Sequence, residues 1–201
     1  MSKPEYSYFV SAAVIAAKLD KATKVAQQLS LTASNARAVA LRAGEGAAGF
    51  RPLTDFIDRL ADVTVNSSKK INSLAANLSK IAAEKFRSDS ALQRFGIVYN
   101  KAKDYPNITS LNTAFNRTKI NQERLQRIYG KQIRQLNLEL EELSGELRTA
   151  VILATLSRVE ASQAGMAYQE SLHNVADNVE NAATIIKKHI QSSQQLVSSL
   201  A

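Results

Sequence analysis

Apolar residues recur every three or four positions over most of this chain, which is the spacing of one face of a helix. A first stretch predicts a helix from about Tyr8 to Ala43, and a second predicts a helix that returns after Pro52. The second stretch alternates steps of four and three, the heptad spacing of a coiled coil. The apolar faces comprise Leu19, Ala22, Ala26, Leu29, Ala33, Ala36 and Ala40 in the first stretch, and Leu53, Ile57, Leu60, Thr64, Ser67, Ile71, Leu74, Leu78 and Ile81 in the second.

A glycine-rich segment separates these two stretches. Gly44, Gly46 and Gly49 lie within six residues and are followed by Pro52. Glycine lowers helix propensity and allows backbone angles that other residues resist. The segment therefore predicts a reversal of the chain, with the two helices forming a hairpin.

The pattern is interrupted between residues 88 and 117. Ser88-Asp89-Ser90 and the break at Pro106 predict a linker at 89–111 that contains a short helix from Ala91 to Lys103, because the residue before a proline disfavours helical angles. A second long helical region is then expected from about Leu111 to Leu200. Its heptad positions are Leu136, Leu140, Leu143, Leu147, Ala150, Ala154, Ser157, Ala161 and Ala164.

Two arrangements of this second region are open. It either bends at Gly165 into a second hairpin or continues as one helix, since Tyr168, Leu172 and Val175 carry the apolar stripe onward. Gly145 is a weaker candidate for a break. The bend is favoured because two half-length helices would cover the first hairpin. We predict an all-α fold of long antiparallel hairpins forming a four-helix coiled-coil bundle, divided into residues 1–88, 89–111 and 112–201.

The composition of the chain excludes several kinds of catalytic and binding site. The chain has no cysteine, which excludes disulfides and thiolate catalysis. The apolar run at 9–17 is far shorter than the ~20 residues of a membrane-spanning helix, so we expect a cytoplasmic protein without a transmembrane segment. His173 and His189 lack the one-turn spacing of a metal pair, and no phosphate loop or nucleophile motif is present. We expect neither an enzyme nor a cofactor.

Charge is distributed unevenly along the chain. Residues 94–134 hold nine basic and two acidic side chains, whereas residues 135–201 hold four basic and eight acidic ones. The basic segment also contains Phe95, Tyr99, Tyr105, Phe115 and Tyr129, a mixture that could neutralise phosphates and stack bases. The same mixture suits an amphipathic helix, so nucleic-acid binding is a weaker hypothesis than protein binding.

The amino-acid sequence around the predicted reversal is distinctive in itself. The chain reads Asn35-Ala36, Ala40, Arg42-Ala43-Gly44-Glu45, Gly49-Phe50, Leu53, Asp55, Ile57 and Leu60-Ala61. This pattern resembles the cytoplasmic hairpin tip of methyl-accepting chemotaxis receptors, over roughly residues 27–71. Glu160-Ala161-Ser162-Gln163-Ala164-Gly165 resembles the approach to the same tip, which supports the bend at Gly165.

The resemblance implies a protein-binding tip without bond chemistry. In that family the tip contacts a coupling adaptor, a histidine kinase and the tips of neighbouring receptors. The positions that it implies for partner binding are Leu31, Asn35, Arg42, Glu45, Phe50 and Leu53. Where the family has a glutamate one turn before the arginine, this chain has Val39, so we expect Arg42 to lack that ionic partner.

Two functional hypotheses follow from these observations. The first is a chemoreceptor-like signalling or scaffold protein that binds adaptor, kinase or receptor tips. The second is a structural helical-bundle protein whose basic segment binds an acidic partner or a nucleic acid. A monomer and a homodimer are both compatible with the pattern.

Overall fold

The structure, a computed structural model, describes residues 3–102 and 105–200 of the chain. Four long helices follow one another in these residues: α1 Lys3–Ala43, α2 Phe50–Lys101, α3 Asn112–Gln163 and α4 Met166–Ser198. Short 3-10 turns, Gly44–Ala47 and Ile108–Leu111, precede α2 and α3. Helices make up 95% of the described residues, and no strand occurs among them. The all-α prediction is confirmed.

The second helical region breaks where the glycine predicted it would. Helix α3 ends at Gln163 and α4 begins at Met166. Between them Gly165 has φ 77° and ψ 152°, a combination that residues with a Cβ atom rarely adopt. The alternative of one continuous helix is therefore wrong, and Gly145, the weaker candidate for a break, lies within the uninterrupted α3.

The predicted linker is shorter than expected. Helix α2 runs through Ser88 to Lys101, so residues 91–101 belong to α2 and form no separate helix. Ser88 is buried and donates a hydrogen bond to the carbonyl of Thr118, and Lys85 pairs with Asp89 one turn further along at 2.8 Å. These contacts hold the polar segment in the helix. The break before Pro106 is present, Lys103 and Asp104 lie outside the described residues, and the division into domains stays a prediction.

Each helix packs against its neighbour in the chain, and α1 also packs against α4. Paired residue numbers rise along one helix while they fall along the next. On α1 and α2, Ser30 bonds to Asp58 and Arg37 to Asp55. The same order holds between α2 and α3, where Lys70 pairs with Glu139 at 2.6 Å. This order brings the α1–α2 turn and the α3–α4 turn to the same end of the molecule.

The core is made by the heptad positions. Every position predicted for the apolar faces of α1 and α3 is buried. Along α2 after Thr64, Ile71 and Leu78 are buried as predicted, but the alternate positions move by one residue, so that Ser68, Ala75 and Ala82 are buried while Leu74 and Ile81 pack at the edge of the core. The seven-residue repeat is kept, with steps of four and three in place of three and four. None of the described helices is long and apolar enough to cross a membrane.

Candidate interaction surface at the tip

Two turns lie side by side at one end of the helices, and we call residues 44–49 and 164–165 together the tip. A methyl group built on Gly46 would lie 3.6 Å from the carbonyl oxygen of Gln163 and 3.8 Å from the carbonyl carbon of Ala164. One built on Gly49 would collide with the carboxylate of Glu160. The first turn therefore approaches the second turn at Gly46, where a methyl group would still fit, and approaches the flexible side chain of Glu160 at Gly49.

The first turn is held by its own backbone. Gly44 has φ 65°, which reverses the chain after α1. The amide of Ala48 then donates to the carbonyl of Glu45 at 3.2 Å, and the amide of Arg51 donates to the carbonyl of Ala48 at 3.3 Å. Pro52 lies in the first turn of α2, where a missing N–H leaves no helical hydrogen bond unmade. The glycine-rich segment therefore forms a compact turn that is held by backbone hydrogen bonds.

Two of the six predicted partner-binding residues face inward. Phe50 is fully buried and Leu53 is 7% exposed, so both belong to the core beneath the tip. A buried side chain cannot touch a partner without unfolding its surroundings. For these two residues the interpretation as direct contacts is therefore corrected: they support the shape of the tip instead.

The other four predicted residues are exposed. Leu31, Asn35 and Arg42 follow one another at helical steps along one side of α1, together with Ala38. We call these four residues the outer stripe. At ~1.5 Å per residue it extends for roughly 16 Å, and Glu45 continues it into the turn. Since Leu31 is 67% exposed, the stripe offers an apolar contact beside polar groups.

Arg42 and Arg37 differ in their partners. Arg37 joins α1 to α2, because its guanidinium bonds to the hydroxyl of Thr54 at 3.3 Å and to the carboxylate of Asp55 at 2.6 Å. Arg42 bonds only to the carbonyl of Ala38 on its own helix, at 3.2 Å, and forms no ion pair with any described residue. Position 39, one turn earlier on α1, is a valine and supplies no carboxylate to Arg42. The structural role of Arg37 was missed, because nothing in the local pattern distinguishes the two arginines.

The second turn contributes a different surface. Met166 directly follows Gly165 and is 93% exposed, the largest exposure among the large apolar side chains whose burial the structure describes. In the sequence, the one indication that Met166 would be exposed was its position directly after the predicted helix break. Arg158 nearby bonds to Glu180 and Asp177 of α4, and these carboxylates raise its pKa. The guanidinium thereby links α3 to α4 below the tip.

The far end of the molecule carries a basic surface. Arg87 of α2 and Arg117 and Arg124 of α3 line a groove of about 490 Å³, the basic groove, together with one acidic residue, Glu84. None of the three arginines forms an ion pair with a described residue. The aromatic side chains of this segment are largely used internally. Phe115 packs edge-on against Phe95 and Tyr99, with ring centroids 5.9 and 5.5 Å apart.

Tyr129 is also used internally, and little aromatic surface is left for bases. Its side chain is buried and its hydroxyl donates to the carbonyl of Leu200 at 2.8 Å. Tyr105, at 69% exposure, is the aromatic residue of this segment that stays open to solvent. Few aromatic rings of this segment are therefore exposed for stacking against the bases of a nucleic acid.

The other described residues offer few groups that could bind a metal ion or change protonation state. No group of three or more His, Asp and Glu side chains within 3–102 and 105–200 is placed to hold a metal ion. Burial and the nearby lysines Lys18, Lys21 and Lys188 lower the pKa of His189. Comparisons of the chain with protein-family models, curated proteins and solved structures found no match.

Proposed function

We propose that this chain is a chemoreceptor-like signalling or scaffold protein that binds other proteins through its tip. The observation that carries the proposal is the outer stripe: Leu31, Asn35 and Arg42 share one exposed side of α1 and lead to Glu45 in the turn. These are four of the residues that the resemblance to receptor tips selected. A guanidinium without an ion pair beside an exposed leucine is the kind of surface that protein interfaces use.

The fold proposed with this function is an antiparallel four-helix coiled coil built from two hairpins. The reversed order of paired residues on consecutive helices supports it. So does the burial of the complete heptad set of α3. Receptors of the resembled family form such a coiled coil by dimerising, whereas here one chain would supply all four helices.

The partners implied by the resemblance are a chemotaxis coupling adaptor, a histidine kinase or another receptor tip. Arg42 would donate to a carboxylate of the partner, Asn35 would supply a further hydrogen bond, and Leu31 would enter an apolar pocket. Phe50 and Leu53 would keep the turn in its shape from below. The mechanism is surface complementarity, with no covalent step.

The test is a binding titration with purified coupling adaptor and kinase from the source organism. We expect Arg42→Ala to weaken binding about tenfold or more, because an arginine at the centre of an interface commonly contributes that much. Arg127→Ala is the matched control, since Arg127 is exposed on α3 at the other end of the molecule. Equal binding by wild type and Arg42→Ala, or no binding by any form, would contradict the proposal.

The basic groove supports a second candidate function, the binding of an acidic partner. Three arginines that pair with no described carboxylate line one groove at the α2–α3 end, where Asn121 accepts a bond from Arg124 at 2.9 Å. Such a cluster suits phosphates or a row of carboxylates. Because the nearby rings pack against one another, we favour contacts to a charged backbone over base stacking.

A single-stranded oligonucleotide tests this second candidate. If the groove binds a nucleic-acid backbone, affinity should fall steeply as salt is raised, and Arg117→Ser should reduce the slope of that dependence by about one phosphate contact. Arg148→Ser, on the same helix but outside the groove, should leave the slope unchanged. Absence of any retardation of the oligonucleotide at low salt would rule out nucleic acid as the acidic partner.

A further inference from the structure

A line of exposed residues follows the outside of α3 at intervals of seven. Leu138, Gly145, Ile152 and Val159 form this line, and we call it the outer seam. Their leucine, isoleucine and valine side chains are 63%, 61% and 53% exposed. Residues seven apart fall on nearly the same side of a helix, so the seam lies opposite the buried face that contains Leu140, Leu143 and Leu147. An apolar line that faces outward at this spacing can pack along the helix of a partner.

Gly145 in the middle of this line has no explanation inside the chain. A methyl group built on it would meet nothing within 4 Å. Glycine in a helix interior costs about 1 kcal/mol relative to alanine, and here neither a close contact nor an unusual backbone angle calls for it. The residue would be useful where the backbone of another molecule approaches α3.

The charges beside the seam complement a second copy of the same helix. Glu141 and Arg148 lie on the same flank of the seam, seven residues apart, and both are exposed. Neither forms an ion pair with a described residue. When two copies of α3 run antiparallel with Gly145 facing Gly145, Glu141 of each copy meets Arg148 of the other, and Leu138 meets Ile152.

We propose that two copies of this chain pair through their outer seams in this antiparallel register. A two-fold interface makes each contact twice, so a surface that pairs with itself must be self-complementary about one point. Gly145 lies midway between Leu138 and Ile152, so it is the centre of symmetry for this apolar pair. The midpoint between Glu141 and Arg148 lies within one residue of Gly145, so the charged pair has nearly the same centre. An unrelated partner would not require this symmetry.

The pairing is expected to be weak and dependent on concentration. Each copy contributes one side of one helix, which places the interface at the small end of specific contacts. The outer stripe of α1 lies on a different helix, so both surfaces can be occupied at once. The inference therefore stands without the proposed tip function.

Charge exchange tests the register. Each of the single variants Glu141→Arg and Arg148→Glu sets like charges against each other twice and should weaken self-association about tenfold. A mixture of the two variants restores opposite charges at both contacts, so it should form a mixed dimer although each variant alone does not. Sedimentation equilibrium over a range of concentrations measures the association, and circular dichroism checks that the helices are retained.

Two further variants make the outcome decisive. Glu123→Arg introduces the same charge change on α3, at an exposed position well before the first residue of the seam, and should leave self-association unchanged. Gly145→Gln adds bulk at the closest approach and should abolish pairing in a folded chain. A wild-type chain that stays monomeric at all concentrations overturns the proposal, as does a dimer that neither charge reversal weakens.

Discussion

Replacing Phe50 with alanine is expected to lower the free energy of unfolding by about 3–5 kcal/mol. The side chain is fully buried at the start of α2, beneath the glycine turn and beside Ala47 of the same core. Its removal loses the transfer free energy of the ring and leaves a cavity that the turn cannot easily fill. Urea denaturation followed by circular dichroism measures the change.

Phe56→Ala is the matched control for this substitution. Phe56 lies on the same helix but is 46% exposed, and Arg59 stacks over its ring with 5.7 Å between the guanidinium carbon and the centroid. We expect its loss to cost about 0.5–1 kcal/mol. If Phe50→Ala instead left stability unchanged and abolished partner binding, the side chain would be a binding residue and its buried placement would be wrong.

Gly165→Ala is expected to lower the free energy of unfolding by about 1–3 kcal/mol. The space around Gly165 is open, since a built methyl group meets nothing within 4 Å. The cost arises from the backbone alone, because φ 77° with ψ 152° is a region that only glycine occupies readily. Thermal unfolding at a concentration where the chain is monomeric measures the loss.

Gly145→Ala makes the same chemical change with the opposite expected sign. Gly145 lies inside α3 with ordinary helical geometry and open surroundings, so alanine should raise the free energy of unfolding by up to about 1 kcal/mol. Opposite signs for the two substitutions would separate a turn glycine from a helix glycine. No loss at Gly165 would contradict the helix boundaries around it, and a loss at Gly145 would contradict its position in an open part of α3.

The fold was largely predictable because its elements are long and regular. Residue spacing placed the helix faces of α1 and α3 correctly, since a heptad pattern sustained over many turns has few alternative interpretations. The error at Ser88-Asp89-Ser90 has a specific cause. Polar residues at that point looked like a break, whereas in the structure Ser88 is buried against the carbonyl of Thr118 and Asp89 pairs with Lys85.

The candidate site was predictable in part. The sequence selected candidate residues in and around the first turn, but it did not distinguish Phe50, which is buried, from Asn35, which is exposed. Arg37 and Arg42 could not be distinguished either. Their roles depend on whether a carboxylate of the next helix lies within reach, and Asp55 lies within reach of Arg37.

The sequence by itself determined the helical class, the turn at the glycines and the inward faces of α1 and α3, because these follow from local propensity and from a period of three and four residues. Only the tertiary structure decided that the tip consists of two turns in contact, with Gly46 against Gln163. It alone also decided that Leu138, Gly145 and Ile152 face solvent together. The physical reason is that burial and ion pairing depend on which helices are neighbours, and a pattern along one helix does not contain that information.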